Sequence, residues 1–161
     1  MTREERFPKI FDAALKLKPD AKRILSFGCS TGEETFAIAK RFPNAEIIGI
    51  DIDHYNISDA RLKNKNPNIF FHDEIGGTGT YDLVFVLMVL FSMENPINKQ
   101  DWYNTLKLIH NHINPGGVLI IYTSDHDPNE VLNKSYDIIN SWPREHNVNK
   151  KTYFNGYYRK K

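Results

Sequence analysis

Cysteine is almost missing from this chain: Cys29 is the single one among 161 residues. An intrachain disulfide is excluded, and a lone thiol points to a reducing compartment and a cytoplasmic protein. An excess of charge of either sign is missing too. Twenty-one Lys and Arg face 20 Asp and Glu, for a net charge of +1. No overall field therefore draws the chain to nucleic acid or to an acidic partner. The longest apolar run, residues 83–91, is too short to span a bilayer. Residues 1–6 lead into no apolar stretch, so no secretory leader is expected. There is no internal repeat, low-complexity tract or linker, and no metal cluster, catalytic triad or paired-carboxylate motif. What remains is 40% hydrophobic and 25% charged, as in an ordinary globular domain. Residues 1–161 are read as one domain, long enough for one sizeable core.

The rest is organised around residues 23–40. Ile24, Leu25 and Phe27 form a short apolar run that suits a central parallel strand. Gly28 and Gly32 bracket a tight loop, and Phe36, Ala37 and Ala39 begin a helix. A strand, a glycine turn and a helix N-terminus together make the usual ligand site of an open α/β sheet. The dinucleotide fingerprint needs glycine at 28, 30 and 33, but the chain has Gly28, Ser30 and Glu33. The phosphate-loop pattern also fails, because no Gly-Lys-Ser/Thr follows.

Six further segments follow in order. Residues 45–51 read as a β-branched strand ending in Asp51, about 20 residues beyond the loop, where a ribose-binding acid falls. Asp51 is either that acid or a strand-end residue, and Asp53 suits the N-cap of the next helix. Residues 55–64 read as that helix. Residues 68–73 read as a third strand ending in Asp73, a pure acceptor or a turn residue before Gly76. Residues 81–91 are uninterrupted apolar sequence, the fourth strand and beyond, as expected for a strand covered on both faces. Residues 97–113 read as a long helix, whose His110 and His112 lie on different faces and form no metal pair. Residues 113–123 follow as a turn and a fifth strand.

At the ends, Phe7, Ile10, Phe11, Ala14, Leu15 and Leu17 give residues 3–18 a helical stripe, with Pro8 tolerated near its first turn. Val131, Leu132, Ile138 and Ile139 suggest a final helix over residues 129–140. Asn155-Gly156, between aromatic pairs, is a hairpin-turn signal. The basic, aromatic tail reads as a lysine-protected edge strand, with an RNA-stacking surface as the alternative.

Residues 26–32 resemble motif I, E/D-x-G-x-G-x-G, of the class I S-adenosylmethionine-dependent methyltransferases. Ser26, Gly28, Ser30 and Gly32 occupy its four marked positions, with Ser26 for the acid and Ser30 for the middle glycine. Residues 28–34 look especially like that loop in chemotaxis-receptor methyltransferases. Ile48-Gly-Ile-Asp-Ile52 resembles the family's second motif, Tyr81-Asp-Leu-Val84 its fourth-strand start, and Asn114-Pro-Gly-Gly117 its turn before the fifth strand. The resemblance covers essentially the whole chain. It implies a doubly wound, mostly parallel seven-stranded sheet with helices on both faces and the last strand antiparallel. It implies S-adenosyl-L-methionine as cofactor and S-adenosyl-L-homocysteine as product. The implied cofactor set is Ser26, Gly28, Cys29, Ser30, Gly32, Asp51, Ile52, Asp73 and Met88, with Ile52 over an adenine face and Asp73 at the adenine amino group. Asp82 is structural in this comparison.

The chemistry so implied is in-line methyl displacement, which needs mainly alignment and desolvation. A general base is needed only for a protonated acceptor. Its candidates are His72, Glu94, Asp125 and His126; no catalytic residue is assigned. The D/N-P-P-Y/F motif of base amino-methylation is missing, so DNA is disfavoured. A small-molecule acceptor is favoured, with RNA or protein left open. The alternatives are a non-catalytic binding module and a different nucleotide-cofactor enzyme.

Overall fold

The computed structural model describes residues 6–161. Helix α1 (Pro8–Leu17) leads into β1 (Arg23–Phe27), α2 (Glu33–Arg41), β2 (Glu46–Ile50), α3 (His54–Lys63) and β3 (Ile69–His72). Then come β4 (Tyr81–Leu87), α4 (Lys99–His110), β5 (Ile113–Ser124), α5 (Asn129–Leu132), β6 (Tyr136–Glu145) and β7 (Thr152–Lys160). One seven-stranded sheet holds all the strands in the order β3-β2-β1-β4-β5-β7-β6. Neighbours from β3 to β5 pair parallel, while β7 opposes both β5 and β6. This is the doubly wound sheet with an antiparallel last strand that the motifs imply.

Alternation along each strand builds two cores. Ile24, Ile47, Phe85 and Ile120 pack with Phe11, Ile38 and Ile57 of α1, α2 and α3 on one face. Leu25, Ile48, Val84 and Leu119 pack with Trp102, Leu106 and Ile109 of α4 on the other. The indole of Trp102 is fully buried and donates to Ser124 Oγ at 2.8 Å, so its polar atom costs nothing by burial. The cap expected at Asp53 is present, and a second one is found at Asn98. Asp53 accepts from the N–H groups of Tyr55 and Asn56 at the start of α3, and Asn98 caps α4.

Asp82 ties the opposite end of the sheet together. Its carboxylate accepts from the backbone N–H of Lys22 (3.0 Å) and Arg23 (3.1 Å) and from the Asn114 amide (3.1 Å). Burial alone would raise its pKa, but these hydrogen bonds outweigh it and hold the group below 3.8. A depressed carboxyl stabilises above its unfolded pKa and loses that contribution as pH falls through the folded one. Asp82→Asn should therefore cost about 1–2 kcal/mol in urea unfolding at pH 7, with the deficit shrinking below pH 3.8.

Three expectations fail, each for a physical reason. The helix expected over residues 129–140 stops at Leu132, and Tyr136–Glu145 is the edge strand β6. Ile138 and Ile139, whose spacing suits a helical face, lie 42% and 39% exposed on that strand, and an edge tolerates Pro143. Asn155-Gly156 is not a turn but lies within β7. A Cβ on Gly156 would fall 2.3 Å from Tyr158 Oη, so the glycine is there because the Tyr158 ring crosses it. The reversal comes instead at residues 146–151, closed by His146 N–H on Lys151 O at 2.8 Å, with Lys150 at φ 60°. The tail is consequently an interior strand, and the lysine-protected edge reading falls. Residues 3–5 of the expected first helix lie outside the described residues, and the described helix begins at Pro8.

Candidate functional site

The strand order reverses between β1 and β4, so their carboxyl ends diverge into a crevice. The neighbouring strands β3, β2, β1 and β4 deliver Asp73, Asp51, Gly28 and Met88 to that one edge in turn. Residues far apart in sequence thus form one continuous rim.

The loop after β1 is shaped by left-handed backbone. Gly28, Ser30 and Gly32 have φ of 75°, 52° and 99°. Ser30 thus adopts, at a cost of about 1–2 kcal/mol, the conformation that a glycine would take freely at that position. Gly28 N–H and Cys29 N–H both donate to Ile50 O, at 2.7 and 2.9 Å, which locks the loop to the end of β2. A Cβ on Gly28 would lie 2.4 Å from a Val89 methyl carbon. Met88 (φ 59°) and Thr123 (φ 64°) repeat the strained geometry at the ends of β4 and β5. Three of the four described non-glycine residues with positive φ therefore lie on this edge, where function most often holds strain.

Asp51 is held ready at the loop. Its Oδ2 accepts from Ser30 N–H at 2.8 Å and its Oδ1 from Asp53 N–H at 2.9 Å. Each oxygen keeps a free lone pair for a further donor. Beyond it, Ile52 is 89% exposed, an apolar side chain standing free on the rim. Asp73 is half-exposed and pairs with His54 at 3.0 Å.

Cys29 adds shape rather than a polar group. Its N–H is taken by Ile50, its carbonyl by Gly32, and its side chain is buried in the core. Burial, reinforced by the Asp51 and Glu34 carboxylates, pushes its thiol pKa far up, so the sulfur is inert.

Ser26 is fully buried in β1 and reaches the site only through Glu34, whose carboxylate accepts its hydroxyl hydrogen bond. Glu34 was not singled out from the sequence. It sits in the first turn of α2, where negative charge suits the helix dipole. Burial raises its pKa to about 8, against the Ser26 hydrogen bond and the nearby Arg6 charge, which lower it. A serine at the acid position of β1 and a glutamate eight residues on therefore act together. Glu34 thus places a carboxyl beside the position in β1 where the motif has its acid. The signal in the sequence was the departure itself, an absent acid followed by two glutamates.

Two adjoining cavities open at this edge. The first, about 190 Å³, is lined by Gly28, Ser30, Glu34, Arg6, Phe7 and Met88 among others. The second, about 320 Å³, shares Arg6, Phe7 and Met88 and extends past Phe91, Tyr122 and Arg144. Arg6 straddles them and donates to Met88 Sδ at 3.0 Å. A larger concavity of about 940 Å³ lies on another flank, beside Phe36, Lys63, Asn64 and Pro67. No strand's carboxyl end opens into it, so the ligand geometry of this fold belongs to the smaller pair.

Two of the proposed bases are committed elsewhere. Asp125 Oδ2 accepts from Ser92 N–H (3.0 Å) and Ile97 N–H (2.8 Å), pinning the segment after β4, and its other oxygen lies 3.7 Å from Lys151 Nζ. His126 Nε2 is 2.8 Å from Ile97 O, and its ring packs edge-on to Trp102. Both hold a loop in place. His72 and Glu94 are exposed and line neither cavity. Among the described residues, no group of three or more His, Cys, Asp or Glu could hold a metal ion. No described helix is long and apolar enough to cross a membrane.

Comparison with known proteins agrees with this geometry. Trans-aconitate 2-methyltransferase of Deinococcus radiodurans is 30% identical over 108 residues, 65% of this chain and 39% of that protein. Malonyl-[acyl-carrier protein] O-methyltransferase of Bacillus cereus is 26% identical over 118 residues, 71% and 42% of the two chains. The matches thus span about two-fifths of these relatives' length. Among solved structures, N-methyltransferase NodS of Bradyrhizobium japonicum WM9, in complex with S-adenosyl-L-homocysteine, superposes with a TM-score of 0.72. It is 17% identical and covers 99% of this chain and 88% of its own. TehB of Haemophilus influenzae gives 0.74 at 15% identity over 98% and 67%. At such identities these two share the fold. A family model described as a methyltransferase domain matches residues 2–155. With its glycine loop at the switch point of a seven-stranded sheet, the chain belongs to the methyltransferase domain family and carries its class I fold.

Proposed function

We propose that this protein transfers a methyl group from S-adenosylmethionine to a small-molecule acceptor. One observation carries the reading: the ends of four adjacent strands present a strained glycine loop, a poised Asp51 and two adjoining cavities. The residues suit the cofactor. Loop 28–32 brings backbone close, as a flat nucleoside requires. Asp51 has two free lone pairs for the two ribose hydroxyls, Ile52 offers an apolar face to adenine, and Asp73 accepts from its amino group. Glu34 meets the amino-acid ammonium in the inner cavity, and Met88 stands where that cavity joins the outer one. When bound, the sulfonium supplies an already activated methyl group, so the protein's task is alignment and exclusion of water. The curated relatives act on trans-aconitate and on malonyl-[acyl-carrier protein], which favours a modest acceptor.

Asp51→Ala tests the assignment directly. It should weaken S-adenosylhomocysteine binding by about 1–3 kcal/mol, through loss of charge-assisted hydrogen bonds. Unchanged affinity in the folded variant would remove Asp51 from the site.

A further inference from the structure

The outer cavity has a one-sided chemistry. Arg6 and Arg144 bring two guanidinium groups to it, and a guanidinium has donors and no acceptor. Tyr122 Oη accepts from Arg144 Nη1, which leaves the phenol's own O–H to donate. Tyr153 Oη accepts from Asn149 Nδ2 at 3.1 Å and is left in the same state. His146 Nδ1 faces the backbone N–H groups of Val148 (3.3 Å) and Asn149 (3.4 Å). The imidazole proton therefore belongs on Nε2, another donor.

The amide acceptor in the wall is already used, and the remaining polar side chain among the described lining residues, the Thr123 hydroxyl, can donate as well as accept. The Asn155 side chain accepts from Thr123 N–H at 2.8 Å and donates to Trp142 O at 3.2 Å. Among the described lining residues there is no Asp or Glu. The carboxyl groups of Glu33 and Glu34 line the inner cavity instead, and Arg6 is shared by the two cavities. The remaining wall is apolar and aromatic, with Phe7, Phe91 and Met93.

A cavity of about 320 Å³ walled by donors and aromatic faces suits a compact anion. It suits an amine poorly, because an ammonium finds no carboxylate to pair with and no base to deprotonate it. We infer that the methyl acceptor is a small organic carboxylate, held by Arg144 and Arg6 and methylated on a carboxylate oxygen to give a methyl ester. This rests on the methyltransferase reading above and names its substrate class. One oxygen lone pair forms the new C–O bond to the methyl carbon as the C–S bond breaks, and that bond's electron pair stays on sulfur. A carboxylate anion and a sulfonium cation thereby become a neutral ester and a neutral thioether. No proton moves, so the chemistry needs no general base, and the commitment of Asp125 and His126 to the loop leaves no gap in it.

The test uses the purified full chain with tritiated-methyl S-adenosylmethionine. The acceptors are a panel of three- to six-carbon di- and tricarboxylates and small aromatic acids, each beside its amide and matched amine. Label on carboxylates only, released as methanol by mild base, is the expected result. Arg144→Gln should then raise the acceptor KM tenfold or more while S-adenosylhomocysteine affinity stays unchanged, and Arg144→Lys should recover part of the loss. Base-stable label on amines, or label on no carboxylate while S-adenosylhomocysteine binds, overturns the carboxylate assignment and leaves the methyltransferase reading standing. Failure of S-adenosylhomocysteine to bind at all overturns both.

Discussion

Gly28→Ala should lower stability by about 3 kcal/mol and cut S-adenosylhomocysteine affinity about tenfold or more. Two separable effects produce this. The new Cβ would lie 2.4 Å from a Val89 methyl carbon, and it would sit on a backbone with φ of 75°. The contact is an overpacking cost of about 1–3 kcal/mol, and the left-handed backbone adds about 1–2 kcal/mol. Relief requires the loop or Val89 to shift, and Val89 directly follows Met88 at the mouth of both cavities. Val89→Ala in the same chain removes the offending methyls. The double variant should recover about 1–2 kcal/mol relative to additivity, as coupled neighbours do, and retain the backbone cost. Additive behaviour in urea unfolding would show that the clash does not govern the loop.

Glu34→Gln should have the second-largest effect, and its sign depends on pH. Burial raises this carboxyl from 4.5 to about 8, so the ligand-free protein carries it mostly protonated at pH 7. A raised acid binds its proton more tightly folded than unfolded. Stability is therefore greatest below pH 4.5 and declines as pH rises toward about 8. Glutamine cannot ionise. The variant should flatten that decline and exceed the parent above pH 8 by up to about 3 kcal/mol, less than the full shift implies because Glu34 is only partly buried from solvent. Binding shows the opposite preference. An ammonium in the inner cavity favours ionised Glu34, so S-adenosylhomocysteine binding at pH 7 should release close to one proton. Calorimetry in buffers of different ionisation enthalpy reads this release directly. Glu34→Gln should abolish it and weaken binding about tenfold or more at pH 8. Equal proton release in parent and variant would remove Glu34 from the ammonium site.

Both residues lie in the stretch 23–40 around which the sequence is organised, Gly28 in its loop and Glu34 in the first turn of α2, yet only Gly28 is legible there. Glycines at 28 and 32, the acid closing β2 and the Pro-Gly-Gly turn before β5 have fixed places relative to strand ends. Their resemblance to the family's motifs, with the alternation of strands and helices, implies a doubly wound sheet. The structure gathers Gly28, Ser30, Gly32, Asp51, Asp73 and Met88 on one edge as that topology requires. Ser26 and Cys29 are different: their side chains are buried, one acting through Glu34 and the other only shaping the loop.

What escaped the sequence depends on contacts that local pattern does not encode. Glu34 belongs to the site because α2 turns it back onto Ser26. Arg144 and Tyr122 meet because β5 and β6 flank β7 in one sheet. The helix misread over 129–140 had two apolar pairs at plausible helical spacing, but Ile138-Ile139 pack along an exposed edge. Gly156 looked like a turn residue when its lack of a side chain serves the ring of Tyr158.

Calorimetric titration with S-adenosylmethionine and S-adenosylhomocysteine, with NAD as the control, tests the central claim most directly. Micromolar binding of both adenosyl ligands and none of NAD is expected, with the adenosyl affinity weakened by about 1–3 kcal/mol in Asp51→Ala. Silence with the adenosyl ligands, or binding that Asp51→Ala leaves intact, would contradict a cofactor site at the carboxyl edge of β1 and β2.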